Sequence, residues 1–311
     1  MDNSYDVIII GGSAAGLAAT LAIARTMKTV LCIDSKAPCN RFSNYMHNFI
    51  GHDGDSSFEF KSQAKENIMK YKTVELVEGE VIEVAKSENR FQIAATISNT
   101  EKHYTGKKII FASGVNDLIN DVNIKNIENF WGKSALHCPY CHGYEVANMK
   151  TGLIFDNSRL MDMATMIYNW TKNITVLTNG TKISSICSES QLNELKNKDI
   201  EVIDKVITEF IGESGRLKSV VFSDGTSISL SCVYIHPPFK LNCEDILNKL
   251  QVHIDTTKLI KVNPFQETNI NGVYACGDCT TFFRTVPNAV SQGNIAGAFA
   301  SKNLFQDSWN E

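Results

Sequence analysis

The densest chemistry in the chain lies in His137-Cys138-Pro139-Tyr140-Cys141-His142-Gly143, two thiols separated by two residues with an imidazole on each side. Thiols at this spacing can close a disulfide across one turn, and opening and closing that loop moves two electrons. The spacing alone leaves three readings open: half of a zinc site, a redox dithiol, or coincidence. Zinc would need further ligands, with His137 or His142 the candidates. No second Cys-x-x-Cys or His-x-x-x-His lies at ribbon or finger spacing, so no metal is expected. Pro139 restricts the backbone of Cys138 and suits the first position of a helix. A helix start lowers a thiol pKa, and His142 could take or give the proton near neutral pH.

A chain of 311 residues predicts two domains. An apolar fraction of 43%, a charged fraction of 21% and a net charge of −4 give no bulk attraction to nucleic acid or membrane. Met1-Asp2-Asn3-Ser4-Tyr5 carries no basic leader, and no apolar run approaches the roughly 18 residues a membrane span needs. The expectation is a cytoplasmic protein with neither nucleic acid nor membrane as partner. Nine scattered cysteines argue against a structural disulfide framework, so a disulfide here is expected to be functional.

The elements that must serve the dithiol begin at the N-terminus. Tyr5 to Ile10 reads as a buried parallel strand running into Gly11-Gly12-Ser13-Ala14-Ala15-Gly16 and an alanine-rich helix to about Arg25. Such a turn brings backbone against a pyrophosphate, and the following helix start offers free N–H groups. Ser13 replaces the middle glycine and is small enough to keep the approach close. The next strand, Val30 to Asp34, ends in a carboxylate about 20 residues on, placed with Ser35 to meet a ribose diol. The loops containing Asn40, Arg41, Phe42 and Asn48 are candidates to hold a cofactor ring. Phe58 to Tyr71 reads as a helix, and Thr73 to Ile110 as short strands and turns. The strand Lys108 to Phe111 leads to Ala112-Ser113-Gly114, a small-residue turn that could close on a dinucleotide.

Asn120 to Asn129 reads as a connector. A second strand–helix–strand unit follows the dithiol: Gly152 to Phe155, Met161 to Trp170 and Ile174 to Leu177. Its turn, Asp156-Asn157-Ser158-Arg159-Leu160, has no glycine and puts a negative charge where phosphates would lie. The last strand ends in Thr178-Asn179-Gly180, with neither a ribose acid nor an arginine cluster. The unit has the outline of a nucleotide site without its chemistry. Further on, Gly272 to Asp278 is a strand entering a tight turn with a carboxylate. A polar loop ending at Thr285 and Val286 leads to Asn288-Ala289-Val290-Ser291-Gln292-Gly293, the start of a small-residue helix. Cys276 and Cys279 repeat the dithiol spacing but overlap the Gly277-Asp278 turn, and are read first as small buried residues. Cys32, Cys187, Cys232 and Cys243 are read as inert core positions, and His236 as structural.

In this order the glycine-rich first turn, Ala112-Ser113-Gly114, Cys138-x-x-Cys141 and Tyr274-Ala275-Cys276-Gly277-Asp278 resemble the low-molecular-weight thioredoxin reductases and their relatives among two-domain FAD flavoproteins. The resemblance covers nearly the whole chain. It implies an α/β fold of two Rossmann-like dinucleotide-binding-type domains, the second inserted in the first. Residues 1–115 plus 245–311 would bind FAD, and residues 116–244 would form a pyridine-nucleotide-type domain carrying the dithiol, whose glycine-free turn at Asp156 to Leu160 predicts that it does not bind NAD(P). It also implies a homodimer, with Cys141 nearest the flavin and Cys138 exchanging with substrate. The string from His137 to Glu145, preceded by Trp131-Gly132, is similar to a side branch that includes the dithiol oxidases of gliotoxin- and holomycin-type biosynthesis. Thioredoxin reductases carry an aspartate after the second cysteine, where this chain has His142. Such oxidases pass electrons from FAD to oxygen, and another group of relatives draws them from ferredoxin. The expected function is an FAD-dependent thiol–disulfide oxidoreductase with Cys138, Cys141 and His142 catalytic, acting without NADPH on a small dithiol or a thioredoxin-like protein. The alternatives are an NADPH-dependent thioredoxin reductase and a flavin-binding redox sensor without turnover.

Overall fold

The computed structural model describes residues 3–310; Met1 and Asp2 of the opening segment, and Glu311, lie outside the described residues. The chain divides into two compact units. One comprises the segments up to Arg41, Asp55–Asn116 and from Phe239 onward; the other comprises Phe42–Gly54 and Asp117–Pro238. Among the described residues no helix is long and apolar enough to cross a membrane.

The first unit is a seven-stranded sheet. Val74–Glu78, Val30–Asp34, Ser4–Ile10 and Thr100–Phe111 lie in that order and pair in parallel. The apolar residues explain the parallel core. Val7, Ile9, Val30, Cys32 and Ile110 fill one face, and Ile8, Ile10, Leu31, Ile33, Ile109 and Phe111 fill the other, the double-sided burial such sheets require. The short strands expected between Thr73 and Ile110 include one of 12 residues, Thr100–Phe111. Its first half pairs antiparallel with Arg90–Ile97 and its end pairs in parallel with Val273–Ala275. This is how the C-terminal signature returns beside the first turn. Helices Ala14–Ala24 and Val286–Asn310 pack at backbone distance. A Cβ on Gly293 would stand 2.0 Å from the Ala15 carbonyl oxygen, and one on Gly297 would stand 2.6 Å from that of Ala19.

The second unit has a five-stranded parallel sheet in the order Glu201–Ile203, Ile174–Leu177, Thr151–Ile154, Cys232–Ile235, Ala135–Leu136. A three-stranded antiparallel sheet, Ile207–Glu213, Arg216–Phe222 and Ser227–Ser229, covers one core with Phe210, Val220 and Phe222. Helix Leu160–Ile167 seals the other with Leu160, Met163 and Ile167. It ends three residues before the Trp170 expected from sequence. The connector read between Asn120 and Asn129 contains a 3-10 turn ending at Val122 and starts a short helix, Ile127–Phe130. The segment 42–54 clusters with this unit rather than with the first, because Phe42 packs on Gly132 and His47 pairs with Glu145.

Candidate active site

The dithiol lies in the second unit. Pro139 starts a helix of four residues, Pro139–His142, with Cys138 as its extended N-cap residue. The proline supplies a preset φ where the missing N–H is not needed. Cys138 and Cys141 are bonded, with Cα atoms 5.3 Å apart, inside the range an unconstrained disulfide adopts. Both are half-buried. Position 143 takes glycine because a Cβ there would lie 2.5 Å from the Pro139 carbonyl oxygen and 2.8 Å from the Trp170 ring. Tyr140 packs edge-on to that same ring at 5.8 Å.

His142 is held by a chain of polar contacts. Ser43 Oγ donates to the Tyr45 carbonyl oxygen at 2.8 Å and lies 3.2 Å from His142 Nε2. A hydroxyl has one proton, so Ser43 can only accept from His142, which places the ring proton on Nε2. Nδ1 then carries the lone pair. It is buried with no hydrogen-bond partner of good geometry, although the Cys138 backbone is near enough to favour the protonated ring. Burial is the largest influence on His142 and lowers its pKa below 6.5; Glu145 opposes this and His47 adds to it. The His47 ring stands edge-on to His142 at 6.5 Å, with Nε2 3.5 Å from Glu145 and Nδ1 3.7 Å from Asp53.

The first unit holds the glycine-rich cradle. Gly11 has φ +103°, and a Cβ there would meet the Ala112 carbonyl oxygen at 2.4 Å; one on Gly16 would meet the Gly11 oxygen at 1.8 Å. The turn therefore accepts only glycine at both points. Asp34 Oδ1 accepts the N–H groups of Gly12 and Lys36 at 3.2 Å each, and its Oδ2 makes no hydrogen bond among the described residues. Gly11, Gly12, Ser13, Asp34, Ser35, Arg41, Ala112 and Ser113 line one cavity of about 840 Å³. Gly277, at φ +82°, turns against this cradle: a Cβ on it would lie 2.9 Å from that of Ala15.

A model of the pyridine nucleotide-disulphide oxidoreductases matches residues 5–293. The chain belongs to this family. It is 31% identical to thioredoxin reductase tcpT of Claviceps purpurea, over 98% of this chain and 96% of that protein. A putative thioredoxin reductase of Bacillus anthracis superposes with a TM-score of 0.90 at 28% identity, covering 98% of this chain and 99% of that one. An oxidoreductase of Agrobacterium tumefaciens gives 0.86 at 32%, with the same coverage. The protein is thus a thioredoxin reductase-like FAD flavoprotein of the pyridine nucleotide-disulphide oxidoreductase family, with the mixed α/β fold of two Rossmann-like domains.

The cradle fits FAD: glycines that no Cβ could replace, the Asp34 carboxylate in the cavity wall with one oxygen outside any hydrogen bond among the described residues, and a cavity within the size of cofactor sites. Not every expected residue gathers there. Ala14, Ala15 and Gly16 form the first turn of the helix behind the cradle, and Asn40 sits in the 3-10 turn Cys39–Phe42. Phe42 and Asn48 belong to the segment that clusters with the other unit. Gly114, Gly277, Asp278, Thr285 and Val286 are in the first unit but outside this cavity. Asp278 Oδ2 contacts Cys39 Sγ at 3.2 Å, and Thr285 Oγ1 accepts the Asn288 N–H at 3.3 Å at the start of the last helix.

Sequence reasoning missed two supports. Asn242 Nδ2 donates to the Ser113 carbonyl oxygen at 2.8 Å and pins the Ala112–Gly114 turn. Gln292 Oε1 accepts the Gly277 N–H at 2.7 Å. Only the position of Gln292 at the start of the small-residue helix pointed to it. Cys276 and Cys279 are free and fully buried; burial drives the first thiol pKa well up and the second up to about 12. His236 stacks on His137 at 4.3 Å, and its Nε2 lies 2.9 Å from the His137 carbonyl oxygen, a packing role. In the second strand–helix–strand unit, Asn157 Nδ2 donates to Asp156 Oδ1 at 3.1 Å. Asn179 Oδ1 accepts the Ile207 N–H at 2.8 Å, and Thr178 Oγ1 donates to Asp204 at 3.1 Å.

Proposed function

We propose that this flavoprotein is a thiol–disulfide oxidoreductase that exchanges electrons through Cys138–Cys141 and draws none from a nicotinamide. The observation that carries the reading is the bonded pair beside a histidine whose Nε2 Ser43 contacts at 3.2 Å. The second unit supports the nicotinamide-independent part, since its nucleotide-type turn has no glycine and the polar groups ending its next strand are tied into the fold.

FAD, bound by the cradle at Gly11 to Gly16, Asp34 and Ser113, would supply a two-electron acceptor. The chain's own part is thiol exchange. A substrate thiolate attacks Cys138 Sγ, the S–S bond breaks, and Cys141 leaves as a thiolate. A second substrate thiolate then attacks the substrate sulfur of the mixed disulfide, releasing the substrate as a disulfide and Cys138 as a thiolate. The two electrons now rest on the cysteine pair, and the two protons come from the substrate thiols. His142 accepts a proton at Nδ1, the nitrogen left open by the Ser43 contact. Oxygen is the terminal acceptor in this reading.

The test is an anaerobic titration of the flavin spectrum. Dithiothreitol should bleach it, and NADPH and NADH should leave it unchanged. Rapid bleaching by micromolar NADPH would refute the reading and make the protein an NADPH-dependent thioredoxin reductase. Cys141→Ser should abolish the response to dithiothreitol, and steady oxygen consumption with a dithiol, lost in the same variant, would exclude a sensor that binds flavin without turnover.

A further inference from the structure

Strand Cys232–Ile235 pairs in parallel with Ala135–Leu136 through two registered residues, Val233 with Ala135 and Tyr234 with Leu136. Each strand ends one residue before a histidine, so His236 and His137 leave neighbouring carboxyl ends of one sheet. The two side chains carry the contact between the strands a step further. Their rings stack at 4.3 Å, and His236 Nε2 lies 2.9 Å from the His137 carbonyl oxygen. A carbonyl only accepts, so Nε2 carries a proton and donates, in the neutral ring as in the charged one.

His236 is rigidly mounted. Pro237 restricts the residue before it to extended backbone. The Pro238 carbonyl oxygen accepts the Leu118 N–H at 2.7 Å, and the buried Phe155 ring meets the imidazole edge-on at 5.0 Å. What this donor holds is the peptide group joining His137 to Cys138. The orientation of that group sets φ of Cys138, which stands extended ahead of the helix Pro139–His142 and makes no side-chain capping hydrogen bond. Cys141 lies inside that helix, where the Gly143 N–H donates to the Pro139 carbonyl oxygen at 2.7 Å. While the pair is bonded, the S–S bond itself fixes Cys138. Once a thiol has opened it, the backbone contacts on either side must do so.

Building on the exchange through Cys138–Cys141 proposed above, we propose that His236 is the positioning residue of Cys138, holding it in place to rejoin Cys141 while the disulfide is open. The step it favours is closure. Cys141 thiolate attacks Cys138 Sγ in a mixed disulfide, the bond from Cys138 to the small thiol breaks, and that thiol leaves with the electron pair as a thiolate. Less chain freedom is lost in closing when Cys138 is already in place.

The test equilibrates the holoenzyme anaerobically in buffers of reduced and oxidised glutathione, quenches with acid, alkylates, and measures bonded, mixed and reduced Cys138–Cys141 by peptide mass spectrometry. His236→Phe keeps a ring and loses the donor; His236→Gln keeps an N–H donor and loses the titrating ring. His236→Phe should lower the equilibrium constant for closure about three- to tenfold, part of the cost of ordering one residue, and so raise the reduction potential by about 15–30 mV. His236→Gln should stay within about twofold of the unaltered protein, with the same pH dependence. His236→Leu, also without a donor, takes the place of the phenylalanine variant if that does not fold. Equal constants in the donor-free variant and the unaltered protein would overturn the proposal. So would an equal fall in His236→Gln with an altered pH dependence, the mark of an acid–base group. The measurement uses no nicotinamide, so bleaching of the flavin by NADPH would refute the nicotinamide-independent reading while the glutathione constants still decide the role of His236. A pair that no glutathione ratio opens would overturn both.

Discussion

Replacing Ser43 by alanine should slow thiol-driven flavin reduction although Ser43 is far in sequence from both cysteines. The residue accepts the Nε2 proton of His142 at 3.2 Å because its own proton is committed to the Tyr45 carbonyl oxygen. Losing that acceptor removes about 1–1.5 kcal/mol from the Nε2–H tautomer. The competing tautomer gains a donor at Nδ1, on the side where the Cys138 backbone favours a proton. The nitrogen that must accept a thiol proton is then occupied, and the rate should fall roughly five- to tenfold. The assay is anaerobic stopped-flow reduction by dithiothreitol across pH, with Ser43→Thr restoring the hydroxyl and most of the rate. If Ser43→Ala matches the unaltered protein in rate and pH profile while His142→Gln is slow, the tautomer argument is wrong.

Gly16→Ala should give flavin-depleted protein and lower stability by at least about 2 kcal/mol, since the new Cβ falls 1.8 Å from the Gly11 oxygen; the flavin-to-protein absorbance ratio and thermal unfolding report both. Cys279→Ala should keep the dithiothreitol rate within about twofold, because a buried thiol with a pKa of about 12 exchanges too slowly to matter; a large loss would reveal a second redox pair. Burial lowers the His142 pKa, so the stability of the neutral buried ring is complete above pH 6.5 and is lost as pH falls through the depressed folded value. Thermal unfolding of His142→Gln should therefore show a smaller fall in Tm on acidification below pH 6.5, and parallel curves would contradict this. Glu145→Gln removes a partly exposed charge that favours protonated His142, so dithiol-driven reduction should slow about twofold at neutral pH; an unchanged rate would show that its field does not reach the ring.

The parts of this protein that sequence revealed are those where one residue type is forced. Gly11 and Gly16 stand where any side chain would strike a carbonyl, and Pro139 stands where a helix begins. The strand Val30–Asp34 ends on the expected carboxylate because a doubly buried strand leaves no freedom in its pattern. What stayed hidden depends on contacts between distant segments. Nothing near Ser43 marks it as the partner of His142, 99 positions away. Phe42 and Asn48 look like loop residues of the first domain until Gly132 and Glu145 are seen to hold their segment. The strand Thr100–Phe111 escaped as a unit because its polar first half faces an antiparallel neighbour and its apolar end lies in the parallel core.

In the proposed reaction His142 takes a proton from a thiol. An ordinary thiol titrates near 8.5 and an ordinary imidazole near 6.5, so the transfer runs uphill by about two pKa units, close to 3 kcal/mol. Burial of His142 steepens that climb. A carboxylate in the same position would be a weaker base still, and its fixed charge would oppose the thiolate leaving from Cys141. The neutral ring adds no such charge before the proton arrives. Once protonated it is favoured by the Cys138 backbone and by Glu145, the two influences that raise its pKa against burial. The imidazole is therefore held in the form that accepts, and what favours its charged form takes effect as the thiolate forms. That ordering suits thiol oxidation, in which the base must act before the disulfide opens.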